Sequence, residues 1–166
     1  MRTRCMRGIG PRAWCCLRGW ILEHWGRAPD LVSTDVEGLD GVDGVTTYSL
    51  FGDAVERGPV VTFTVEGLDS HLVAAALSAE HGIGVRAGKF CAHILVDTLL
   101  GEGSDEHDTA VRVSAGLATS DEHVERLLAA VATLAADGPG AAYEHTAEHG
   151  WLPVDDTRQL DAPLPW

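Results

Sequence analysis

Residues 60–82, VVTFTVEGLDSHLVAAALSAEHG, constrain the fold more than any other part of this chain of 166 residues. Val61, Phe63 and Val65 alternate with Thr62 and Thr64, the two-residue period of a strand with one buried face. The period then changes. Asp69 stands where a helix N-cap belongs, and Leu72, Val73, Ala76 and Leu77 form an apolar stripe at helical spacing over 70–81. Gly82 supplies the stop. A half-buried strand leading directly into a capped amphipathic helix predicts a sheet layer with a helix layer packed on it.

The remaining punctuation extends this plan. Val45 to Leu50 reads as a strand, and Arg57-Gly58-Pro59 as the turn that leads into residues 60–66. Ile83 to Arg86 predicts a short strand, Ala87-Gly88 a turn, and residues 91–100 a helix ending at Gly101. Glu102 to Asp108 is an acidic, solvated loop, and Ala110 to Gly116 a further strand. Thr119 with Glu122 predicts a capping box for the longest helix, 120–136, whose stripe is Val124, Leu127, Leu128, Val131 and Leu134. Pro139 ends it, and the tail 139–166 has no regular signal. The order β-β-α-β-α-β-α predicts a two-layer α/β (α+β) sandwich, with a small, mainly antiparallel sheet and helices on one face. No internal repeat is present.

Charge divides the chain. Twelve Lys and Arg stand against 25 Asp and Glu, a formal net charge of −13. That balance argues against nucleic acid or an anionic membrane surface as partner. Residues 1–28 nevertheless carry six arginines and one acid, and three of the four cysteines, Cys5, Cys15 and Cys16. Arg12 and Arg18 interrupt any secretory apolar core, and the Arg-rich, acid-poor composition superficially suits an organellar transit peptide, although it holds no serine. Residues 1–28 are therefore expected to be a basic leader outside the fold, ahead of a domain over 29–138. The vicinal Cys15-Cys16 lacks zinc-knuckle spacing. With no paired cysteine framework and no long apolar run, a cytoplasmic setting is expected.

Residues 83–93, IGVRAGKFCAH, are the most informative chemically. They place Cys91 after a glycine-containing turn and at the predicted first turn of a helix, where backbone N–H groups favour thiolate. Lys89 and Arg86 would add positive field. The spacing equally suits a small residue at a strand-to-helix corner. His145-Thr-Ala-Glu-His149 literally matches the inverted zinc-protease pattern, but only two helical turns fit between Pro139-Gly140 and Gly150, so chance explains it better. His93 and His107 near Cys91 form no ligand cluster either, and no metal site is expected.

Taken in order, residues 60–95 and AVRVSAGLATSDEHVERLLAAVATL at 110–134 resemble the C-terminal part of class V aminotransferases. The cysteine desulfurase and selenocysteine lyase-like branch is the most similar, and the resemblance covers roughly residues 40–138. It implies the small C-terminal domain of a fold-type I pyridoxal phosphate enzyme. By position, Cys91 matches the cysteine that accepts sulfur as a persulfide. Arg112 matches the arginine that grips the substrate α-carboxylate, a task that suits a planar bidentate fork. Arg86 matches a supporting arginine, and Gly88 would allow the turn that presents Cys91. On residue pattern alone, Arg112 also reads as a strand-edge arginine paired with the acidic loop.

Two departures accompany the resemblance. Desulfurases have a His-His pair where this chain has Lys89-Phe90. Family members are also more than twice as long, and the remainder carries the lysine that forms the pyridoxal phosphate Schiff base. Lys89, the sole lysine here, does not have that context. The expectation is a domain that supplies the carboxylate arginine and a pocket cysteine for an amino-acid substrate, inactive alone. The alternative is a non-enzymatic binding module or a homodimer. A truncated gene would also account for the leader.

Overall fold

The computed structural model describes residues 38–49, 59–101, 108–116, 118–156 and 158. Expectations for the leader 1–28, for Arg57-Gly58 and for the acidic residues 102–107 lie outside them. After a helical turn at 38–40 the elements are β1 (Val45–Tyr48), β2 (Val60–Val65), α1 (Ser70–His81), β3 (Arg86–Gly88) and α2 (His93–Leu100). They continue with β4 (Ala110–Ser114), α3 (Asp121–Asp137), β5 (Tyr143–Thr146) and β6 (Gly150–Pro153).

Strands β1 to β4 form one antiparallel sheet in the order β1-β2-β4-β3. Its apolar face follows from alternation. Val61 pairs with Val113 and Phe63 with Val111, and these meet Val73, Ala76 and Leu77 of α1 and Leu127, Ala130, Val131 and Leu134 of α3 in one core. Phe63, Val111, Val73, Leu77 and Val131 are fully buried. The expected two-layer α/β sandwich is therefore present. Val96 of α2 and Ala110 are buried outside this cluster, whereas Ile94 and Leu95 of α2 are exposed.

Helix α1 matches its expected span because both ends are encoded locally. The Asp69 carboxylate accepts from the N–H groups of His71 and Leu72 at 2.7 and 3.1 Å. Gly82 takes the left-handed conformation, φ 65°, so that Ile83 N–H reaches back to the Leu77 carbonyl at 2.9 Å. That return bond displaces the next strand. Ile83 and Val85 pack against the core on the way out of the helix, and β3 occupies 86–88 instead of 83–86. The cap of α3 also shifts by one residue. Ser120 is the N-cap, with its N–H donating to His123 Nδ1 at 3.1 Å, while the Thr119 hydroxyl accepts from Gly116 N–H.

The tail forms a β5–β6 hairpin, for which the sequence offered no regular signal, and it packs against α1. His145 pairs with Trp151 across the hairpin, their rings edge to face at 5.2 Å, and His149 lies in its turn. His145 and His149 thus sit on a strand and a turn, without the helix that the zinc-protease pattern requires. Among the described residues, no group of three or more His, Cys, Asp or Glu could hold a metal.

Glu80 fastens the hairpin to α1. Its carboxylate accepts from Gly140 N–H (3.0 Å), Ala141 N–H (3.3 Å) and the Tyr143 hydroxyl (2.8 Å). Partial burial would raise the Glu80 pKa, but these three donors and nearby His81 together hold it below the ordinary 4.5. Burial and the Glu80 carboxylate push the Tyr143 phenol up from 10.0. A depressed acid stabilises above its ordinary value and loses that contribution as pH falls through the depressed one. A raised phenol contributes below its ordinary value and loses the contribution as pH rises through the raised one. Hairpin amide protection should therefore be flat near neutrality and weaken at both extremes. Val154 N–H donates to the Ala142 carbonyl at 2.9 Å at the hairpin's end, and Tyr143→Phe should lower its protection by about 1 kcal/mol, which hydrogen exchange checks.

Candidate functional site

The sheet face opposite the core is polar. Thr62 and Thr64 of β2 lie there, and the Tyr48 hydroxyl of β1 stands 3.0 Å from Thr64 Oγ1. Arg112 shares this face because it alternates with Val111 and Val113. The register places it between two neighbours, Thr62 of β2 and Arg86 of β3. The two sequence-predicted arginines are thus directly opposite across one strand pair. Arg86 is exposed and Arg112 half-buried. Like charges opposed in this way repel, and an anion between or above them removes the penalty.

Strand β4 lies inside the sheet, so Arg112 is not the strand-edge residue of the alternative reading. Its Nε is buried and has no hydrogen-bond partner among the described residues. The guanidinium carbon instead lies 5.4 Å from the centre of the Phe90 ring. Such a cation–π contact contributes roughly 0.5–1 kcal/mol at a partly exposed site.

Phe90 reaches Arg112 through an unusual turn. Ala92 N–H donates to the Lys89 carbonyl at 2.7 Å, and both residues between them have positive φ, 54° at Phe90 and 60° at Cys91. Type I′ turns use such a pair of positive φ values and favour Asn-Gly there. For an aromatic residue and a cysteine, each left-handed conformation costs about 1–2 kcal/mol. Lys89 anchors the turn from the other side. Its Nζ is 2.7 Å from Asp97 Oδ1 of α2, and its side chain is only 10% exposed.

Cys91 therefore does not stand where the spacing placed it. Helix α2 starts at His93 with Ala92 as N-cap, and Cys91 lies before it, outside the first helical turn. What Cys91 has is exposure, as a free cysteine at the tip of the strained turn. Gly88 precedes the turn with φ 106°, a backbone conformation that L side chains rarely adopt, whereas a Cβ there would make only ordinary contact with the His71 ring of α1 at 3.5 Å.

The sequence reading missed Phe90 and Asp97. The pairing of Lys89 with Asp97 follows no helical spacing, because the turn intervenes. A cleft of about 220 Å³ lies elsewhere, lined by Ile83, Ser114, Thr119, His123, Arg126 and Leu127, and it includes neither Cys91 nor Arg112.

A sequence profile of the family described as aminotransferase class-V matches residues 21–127, more than half of the chain. The chain belongs to the class-V aminotransferase family. A probable cysteine desulfurase from Xylella fastidiosa strain 9a5c is 31% identical over 105 residues, covering 63% of this chain and 23% of that protein. One from Halobacterium salinarum is 36% identical over 93 residues, covering 56% of this chain and 20% of its own length. The apo cysteine desulfurase from Thermococcus onnurineus NA1 superposes with a TM-score of 0.62 at 31% identity, over 74% of this chain and 29% of that one. This class-V aminotransferase chain thus spans about a quarter of the length of the relatives it matches. Among its described residues no helix is long and apolar enough to cross a membrane.

Members of the family carry pyridoxal phosphate. The residues here do not fit that cofactor's covalent anchor. A Schiff-base lysine must present an uncharged amine to the cofactor. The single lysine, Lys89, is largely buried and ion-paired with Asp97.

Proposed function

We propose that this chain supplies the substrate-carboxylate arginine and a pocket thiol of a cysteine desulfurase-like, pyridoxal phosphate-dependent site, and is inactive alone. The observation that carries the reading is Arg112, opposed by Arg86 on a polar sheet face and beside the turn that exposes Cys91. In this reading Arg112 takes the α-carboxylate of an amino acid with two parallel N–H donors, and Arg86 adds positive potential. Cys91 faces the substrate from a turn whose geometry is fixed before anything binds. Bound pyridoxal phosphate would withdraw electrons from the amino acid, and its lysine would come from the part of the family fold outside these residues.

Two measurements test the reading. Purified chain mixed with pyridoxal phosphate, L-cysteine and dithiothreitol, the reductant that would release a persulfide sulfur as sulfide, should develop no protein-bound cofactor absorbance and release no sulfide. Turnover under those conditions overturns the claim of inactivity. Acetate should shift the Arg112 Nε–Hε resonance in a saturable way, and an unmoved resonance overturns the carboxylate role.

A second reading, an association module or homodimer, is favoured by Ile94 and Leu95 of α2, which are 86% and 40% exposed. Size measured across a concentration series tests it, with a strict monomer counting against it.

A further inference from the structure

We propose that Phe90 is a positioning residue for Arg112, holding the guanidinium ready for a carboxylate against repulsion from Arg86. The proposal rests on the carboxylate role given to Arg112 above and adds a residue to it.

Three observations converge. The guanidinium carbon of Arg112 lies 5.4 Å from the Phe90 ring centre, so the ring quadrupole attracts the charge. An aromatic face does this without consuming an N–H donor, whereas a carboxylate partner would occupy the fork that the substrate needs. Arg86 stands opposite Arg112 in register and repels it, so an Arg112 with no counterweight would swing away from the shared face. Finally, Phe90 is held at φ 54°, where glycine or asparagine would sit with less strain. An aromatic side chain on such a backbone points to a use for the ring. The Lys89–Asp97 ion pair and the Ala92-to-Lys89 hydrogen bond fix the turn that carries it.

The test uses the ¹⁵N-labelled chain and acetate as the carboxylate probe. Phe90→Gly removes the ring and suits the left-handed backbone, so it should fold, while Phe90→Tyr keeps an aromatic face. In the unaltered chain the Arg112 side-chain protons should show upfield ring-current shifts that vanish in Phe90→Gly and persist in Phe90→Tyr. Acetate affinity read at Arg112 Nε–Hε should fall about two- to fivefold in Phe90→Gly and stay unchanged in Phe90→Tyr, a range set by the strength of such contacts. Equal acetate affinity in Phe90→Gly and the unaltered chain overturns the proposal and leaves the carboxylate role standing. Ring-current shifts present with no response to acetate overturn the carboxylate role, and with it the purpose given to Phe90.

Discussion

Phe63→Ala is expected to remove about 3–5 kcal/mol of folding stability. Phe63 is fully buried in β2, where it pairs with Val111 and faces the α1 and α3 side chains of the core cluster. Truncation loses the transfer free energy of the ring and leaves a void that a sheet bonded on both sides of β2 closes poorly. Domains of this size have about 5–15 kcal/mol in total, so much of the population would unfold near physiological temperature. Urea unfolding followed by circular dichroism measures the change. A loss under about 1 kcal/mol would mean that Phe63 does not centre the core.

Arg112→Leu is expected to act in opposite directions on stability and on binding. The substitution removes a buried Nε without a partner and a like-charge pair with Arg86, while an apolar body still packs against Phe90. An unsatisfied buried donor costs about 1–3 kcal/mol, so the variant should be more stable by about 1 kcal/mol after losing the cation–π contact. Acetate binding should fall at least tenfold, since charged hydrogen bonds contribute about 1.5–3 kcal/mol. Thermal unfolding together with an acetate titration checks both signs. A destabilised variant that still binds acetate would make Arg112 a structural residue. A gain in stability coupled to lost binding is the pattern of a residue kept for a site.

Local signals account for what the sequence revealed. Helix α1 was legible to the residue because Asp69 and Gly82 encode its two ends chemically. The polar-side placement of Arg112 followed from strict alternation in β4. What escaped depends on contacts distant along the chain or on backbone states without a residue signature. The opposition of Arg86 and Arg112 is a matter of register, which neither segment contains by itself. The left-handed pair at Phe90 and Cys91 carries no glycine or asparagine to announce it, so the chain there reads as the start of a helix. The hairpin strands YEHT and GWLP lack a clean apolar alternation, and Glu80, which holds them, lies far back in the sequence. Legibility fails most at the turn that carries the site, where local preference and final geometry disagree.

The strand order has a kinetic consequence. Because β4 lies between β2 and β3, the pair that seats Arg112 beside Thr62 closes a loop of some fifty residues. Contacts of such sequence separation form only after the entropy of a long closure has been overcome, so the sheet should assemble on milliseconds to seconds instead of microseconds. The two arginines then become neighbours late, when β4 docks, and no isolated peptide containing either one would reproduce their juxtaposition.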